Sequence, residues 1–269
     1  RRLCSVGGGM YSKVVTFGCS QTFGHGLHDI YNVLGSADHP SKIAYPSLIA
    51  KKFDIPVFNY ALCGNSSKRL EMQIFEELWN IDNNTLVIIL WPHHSRSCVY
   101  LDGPKLKNSS FFNIDPPNSW KLFQSNTYAL PLQINLPKNV DKMHKRISSM
   151  YYISYHELDA LSELLMRINH IKSFLKDKCK NILNFSFIDF KELDDKIKSL
   201  PEHVKILGEN LKEYKICPTS VFNSIPDTDI DKYATDKKHW GYTWHSQFAE
   251  EIINRLKLID KKRKHELNL

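Results

Sequence analysis

The 269-residue chain has no long apolar run: its longest, "LVIILW", is far short of the roughly 20 residues a membrane-spanning helix needs. The N-terminal stretch also lacks the apolar core of a secretory leader, so a cytoplasmic protein without a membrane partner is expected. Its six cysteines (Cys4, Cys19, Cys63, Cys98, Cys179, Cys217) form no C-x-x-C pair. That spacing excludes a zinc ribbon and a thioredoxin motif, and in a reducing compartment free thiols are expected. Phosphate-binding loops are absent too, because neither G-x-x-x-x-G-K-[ST] nor G-x-G-x-x-G occurs. Histidines are plentiful, yet none are spaced H-x-x-x-H. No cofactor and no metal are therefore expected.

What remains is an ordinary globular composition, with 42% hydrophobic and 24% charged residues. The formal net charge of +7 is spread along the chain, and its one dense cluster is the tail "DKKRKHELNL". Such a tail reads as a solvated end or, alternatively, as a docking point for phosphate or an acidic partner; no nucleic-acid partner is expected. Residues 1–9 end in a glycine triplet directly before Met10 and read as a cloning remnant. Residues 10–260 are expected to form one domain, and 261–269 a basic tail.

Hydrophobic periodicity organises that domain. "KVVTF" is a short strand pattern, "PSLIAKKF" has helical spacing, and "PVFNYAL" is a second strand. "SSKRLEMQIFEELWN" places Leu70, Ile74, Phe75 and Leu78 on one helical face behind a Ser66 or Ser67 cap. "TLVIILW" is uniformly apolar, as suits a strand buried on both faces. The order strand, helix, strand, helix, strand predicts a three-layer α/β/α sandwich around a parallel sheet of about five strands. "HELDALSELLMRINHIKSFLKDK" predicts a long helix, "NILNFSFI" a buried strand and "TWHSQFAEEIINRLKLI" a final helix. Between them, about residues 100–150 form an irregular insertion whose aromatics Phe111, Phe112, Trp120 and Tyr128 are either a sugar-stacking surface or a private core.

Two clusters could carry chemistry. "GCSQTFG" puts Ser20 just beyond the first strand, where ligands bind in open parallel sheets. There Ser20 is either a helix cap or a nucleophile beside free N–H donors. Near the other end, Asp236 and His239 stand three residues apart. They are either a surface turn or a carboxylate orienting an imidazole base. Cys19 is the alternative attacking atom, or a small buried side chain. The G-x-S-x-G elbow of α/β-hydrolases does not fit, since Thr22 stands where it needs glycine.

Together these stretches resemble the SGNH (GDSL-like) hydrolases. "TFGCSQTFG" resembles their serine block, "NYALCGNSS" their second block and "DKKHWGYTWH" their D-x-x-H block. The resemblance implies Ser20 as nucleophile, His239 as general base and Asp236 as its orienter. It places the oxyanion hole at the backbone N–H groups of Ser20 and Gly64, with Asn65 as a further donor. The third block departs: where the family carries G-x-N-D, this chain reads Trp91-Pro92-His93-His94-Ser95-Arg96. That variant, together with "HPSKIAYPSLIAKKF", resembles SGNH-like proteins often carried by bacteriophages, for which host cytoplasm or virion is the expected location. His94, Ser95 or Arg96 then supplies the missing donor, and Trp91 and His245 join them as candidates for the substrate site. Arg96 favours an anionic substrate unless it is held in an ion pair. The implied activity is hydrolysis of a short acyl ester, such as O-acetyl on a glycan. A non-catalytic carbohydrate-binding module and an O-acyltransferase are the alternatives.

Overall fold

The computed structural model describes residues 11–30, 39–102, 127–132 and 142–267. Four strands, β1 (Lys13–Phe17), β2 (Val57–Asn59), β3 (Thr85–Trp91) and β6 (Asn181–Ser186), form a parallel sheet in the order β2-β1-β3-β6. Register aligns Val14 with Val57 and Leu86, and Val87 with Ile182. Among the described residues the sheet thus has four strands rather than about five.

Alternation along the strands builds the layers, because successive side chains point to opposite faces. Val15, Phe17, Val87, Ile89, Trp91 and Ile182 belong to one core. It is closed by α3 (Ser67–Glu76), α5 (Glu157–Leu175), α6 (Phe190–Ile197) and α7 (Glu202–Lys212). Val14, Leu86, Ile88, Leu90, Leu183 and Phe185 belong to the other. That face is covered by α2 (Tyr45–Phe53), α8 (Pro218–Ser224) and α9 (Tyr242–Leu267). β3 is buried at all seven positions because it lies between both cores. The three-layer α/β/α sandwich is therefore the observed architecture.

The chain passes from β1 to β2 on one side and then returns to β3 on the other side of β1. Such a reversal opens a crevice at the carboxyl ends of the strands. The turn after β1 leads directly into α1 (Ser20–Phe23), so Ser20 stands at that crevice.

Two stretches differ from the sequence expectation. Within the insertion, β4 (Ser97–Asp102) and β5 (Thr127–Leu132) pair as an antiparallel ribbon, followed by α4 (Lys142–Ser154). Phe111, Phe112 and Trp120 lie outside the described residues, as do residues 1–9 and the side chain of Tyr128. The basic tail continues α9 as far as Leu267. Lysine, arginine, glutamate and leucine are good helix formers, and Arg263 Nη1 donates to Asn181 Oδ1 at 3.0 Å, tying the tail to the edge of β6. No described helix is long and apolar enough to cross a membrane.

Candidate active site

Gly18 ends β1 under tight constraint. A Cβ there would sit 2.0 Å from Thr22 Oγ1 and 3.2 Å from the Leu90 carbonyl, so only glycine lets the chain turn back into α1. Its carbonyl accepts from the Leu62 N–H and from Asn65 Nδ2, which fastens the second sequence block to the serine turn. In that block a β-turn runs from Leu62 to Asn65, closed by the Asn65 N–H donating to Leu62 O at 3.1 Å. Gly64 occupies its left-handed position, with φ of 76°. The backbone N–H groups of Ser20 and Gly64 donate to nothing among the described residues.

Asn65 is not available in the same way. Its Nδ2 donates to Gly18 O at 3.0 Å and to Gln73 Oε1 at 3.2 Å, and its Oδ1 accepts from the Ser66 N–H. Both amide hydrogens are spent. The side chain is a brace for the turn, which corrects its expected role as an oxyanion donor.

The acid and the imidazole meet as a pair. Asp236 Oδ1 accepts from the backbone N–H groups of Lys238 and His239, folding the turn around the carboxylate. Its Oδ2 accepts from His239 Nδ1 at 2.6 Å, an i,i+3 contact. Burial pushes the Asp236 carboxyl up, but those three hydrogen bonds outweigh it and hold the group below its ordinary range. The tight loop requires Lys237 to adopt a left-handed φ of 56°. It also requires Gly241, where a Cβ would lie 2.0 Å from the Asp231 carbonyl. The glycine downstream of D-x-x-H thus serves backbone approach.

Two contacts dock this loop on the serine turn. The Trp240 N–H donates to Gln21 Oε1 at 3.2 Å, and the Thr235 N–H donates to Gly26 O at 2.9 Å. Gly26, with φ of 82°, lies so close that a Cβ would meet the Asp236 carboxylate at 2.8–2.9 Å. The two ends of the chain therefore meet through residues 21–26 and 235–240. Ser20 is 6% exposed, and its hydroxyl makes no hydrogen bond among the described residues, His239 included. In free hydrolases this bond is often long and tightens in the substrate complex.

His25, one of the many histidines of the sequence and marked by no spacing motif, joins the site. Its ring stands edge-on to His239 with centroids 4.9 Å apart, and its Nδ1 is 3.6 Å from Cys63 Sγ. Burial, reinforced by the neighbouring His239, lowers its pKa, while Asp236 opposes the shift. Ligand atoms of His25, Asp236 and His239 all lie within 4.8 Å of one another. The Asp236–His239 pair is local, but His25 comes from the far end of the sequence, so only the fold brings the three together.

Several substrate-site candidates sit elsewhere. Trp91 is fully enclosed and donates from Nε1 to Asn184 Oδ1 at 3.0 Å, so it belongs to the core rather than to a substrate surface. His245 is likewise fully enclosed, its Nδ1 accepting from the Tyr45 N–H at 3.2 Å. His94 is buried with Nε2 at 3.3 Å from Glu157 Oε1, which removes it from substrate contact. Burial lowers its pKa, and burial followed by the nearby His94 pushes that of His93 down to about 4. Ser95 Oγ lies 2.8 Å from His93 Nδ1. Arg96 is half-buried in the turn directly before β4, with no ion pair among the described residues. Cys19 is buried and precedes the first turn of α1, as a small packing side chain does.

Fold and site together define an α/β protein with a serine at the sheet crevice and an Asp–His pair docked beside it. No protein-family model matches the chain, and no curated protein matches it. Solved structures do. A member of the lipolytic protein G-D-S-L family from Veillonella parvula is 10% identical, covering 90% of this chain and 96% of its own, with a TM-score of 0.44. An α/β hydrolase enzyme from the metagenome of Lake Arreo is 10% identical, covering 92% and 97%, with a TM-score of 0.47. An acetyl xylan esterase from Butyrivibrio proteoclasticus is 14% identical, covering 92% of this chain and 64% of its own, with a TM-score of 0.42.

Proposed function

We propose that the chain is a serine esterase of SGNH type that hydrolyses a short acyl ester. The reading rests on one observation above the rest: the Asp236–His239 pair at 2.6 Å, pinned through Gln21 and Gly26 to the turn that carries Ser20. Ser20 Oγ attacks the ester carbonyl while His239 Nε2 takes the hydroxyl proton. Asp236 holds Nδ1–H and stabilises the imidazolium. The carbonyl oxygen, now an oxyanion, is received by the N–H groups of Ser20 and Gly64. Collapse of the tetrahedral centre expels the alcohol, which leaves with the proton from Nε2. Water then attacks the acyl-enzyme with His239 again as base, and the acid product departs from a restored serine. The resemblance of the motifs to SGNH enzymes favours O-acetyl on a glycan as the ester. Arg96, from the variant third block, is read as the partner of an anionic substituent on that substrate.

A second reading is favoured by two observations. Ser20 has no hydrogen bond to His239, and the Asn65 amide is fully engaged. A binding module that keeps the fold without turnover accounts for both. Treatment with a serine-directed fluorophosphonate, followed by peptide mass mapping, separates the two. The esterase reading expects an adduct on Ser20 of the wild type, none in Ser20→Ala and strongly slowed labelling in His239→Ala. An unlabelled wild type sinks it. Feeding an activated acetyl ester with and without glycan acceptors then distinguishes a hydrolase from an acyltransferase by where the acetyl group goes.

A further inference from the structure

The proposed acyl transfer gives His25 no role, yet its ring stands against the Asp–His pair. Two imidazoles and a carboxylate are the borderline donor set preferred by zinc-class ions, whereas magnesium and calcium favour oxygen alone. A tetrahedral zinc with bonds near 2.1 Å separates its ligand atoms by about 3.4 Å. The three ligand atoms now lie within 4.8 Å of one another, and side-chain rotation brings them to that separation, the His239 Nδ1–Asp236 Oδ2 pair opening from 2.6 Å and the His25 ring drawing in. The backbone sets the spacing, because the Thr235 N–H donates to Gly26 O and Gly26 packs against the Asp236 carboxylate. Cys63 Sγ lies where it can accept an Nδ1–H from His25, leaving Nε2 as the ligand atom.

We propose that His25, Asp236 and His239 form an inhibitory site for a zinc-class divalent ion, which takes the place of the hydrogen between His239 Nδ1 and Asp236 Oδ2. The inhibitory consequence rests on reading His239 as the general base; the binding itself does not. Without metal, Nδ1 carries the ring hydrogen and Nε2 holds the lone pair that receives the serine proton. With the ion on Nδ1, the neutral ring keeps its single hydrogen on Nε2. No proton is gained or lost, but the lone pair at Nε2 is gone and Ser20 has no base. Three protein ligands leave the fourth tetrahedral position to solvent.

The test titrates the chelator-stripped full chain with Zn²⁺, following fluorophosphonate labelling and the ring ¹⁵N shifts of His239 in the same samples, and separately with Co²⁺ as a stand-in for its absorption spectrum. The expected result is one ion per chain, a tetrahedral Co²⁺ spectrum and a His239 tautomer that moves from Nδ1–H to Nε2–H. Affinity should fall by roughly tenfold or more in His25→Ala, His25→Gln and Asp236→Asn, and hold in Ser20→Ala. Labelling should decline in step with occupancy and return on chelation. The proposal is overturned by an absence of stoichiometric uptake, by uptake indifferent to both His25 variants, by an unchanged tautomer or by faster labelling in the zinc-loaded protein. If the metal-free wild type is not labelled, the esterase reading fails, while the titration and the ¹⁵N shifts still decide the metal site.

Discussion

Gly26 shows how one missing side chain positions a carboxylate. Its φ of 82° lies in the left-handed region, and the space a Cβ would fill is occupied by Asp236 Cγ at 2.8 Å. Gly26→Ala therefore meets two costs: a strained backbone of about 1–2 kcal/mol and displacement of the carboxylate that holds the His239 ring. A shift on the order of 1 Å in a reacting group costs about 100-fold in rate, so fluorophosphonate labelling of Ser20 should fall by about that factor in Gly26→Ala. Labelling at the wild-type rate in a folded variant would show that the Asp236 contact does not position the base. The glycine is visible in "TFGHG", but nothing in that string names the carboxylate it faces, because Asp236 belongs to the far end of the chain. By contrast, Asp236 and His239 were legible as a pair, since their bond is local and one turn makes it. Asn65 shows the limit of motif reading: the residue type suits an oxyanion donor, and its neighbours Gly18 and Gln73 take both of its hydrogens.

At the scale of elements, α3 starts where its sequence says. The Ser66 hydroxyl accepts from the Arg69 N–H at 3.3 Å, satisfying one of the first-turn donors. Ser66→Ala should lower stability by about 1 kcal/mol, read as a lower urea midpoint with an unchanged slope. A midpoint equal to that of the wild type would mean that packing of Leu70 and Ile74 alone sets the helix start. Long amphipathic elements such as α5, with 19 residues, announce themselves by periodicity. The helices α6, α7 and α8 escaped that reading because they have 8, 11 and 7 residues, at or below the window in which a 3.6-residue period can be told from chance. The β4–β5 ribbon escaped for another reason. Its strands are 6 residues each and are separated by a long segment, so no turn signal joins them into a hairpin.

At the scale of the molecule, His245 on α9 ties to Tyr45 on α2 within one helical layer, although the two lie 200 residues apart in the chain. The ring stacks on Tyr45 at an interplanar angle of 15° and meets Trp244 edge-on. Because Nδ1 accepts the Tyr45 N–H, the neutral tautomer carries its hydrogen on Nε2, an atom buried without a partner among the described residues. A charged ring is disfavoured there first by burial and then by repulsion from His239, which together push the His245 pKa down to about 3. In the unfolded chain the group returns to about 6.5. Between those values the unfolded state holds a proton that the folded state does not. This contribution is therefore fully present above pH 6.5 and is lost progressively as the pH falls toward 3. Over the step from pH 7 to 5 the loss is about 2 kcal/mol from this ring alone. Urea unfolding at the two pH values in wild type and in His245→Gln, whose side chain does not titrate, isolates the effect. The wild type should lose about 2 kcal/mol more than the variant on acidification, and equal losses would mean that His245 is protonated inside the fold.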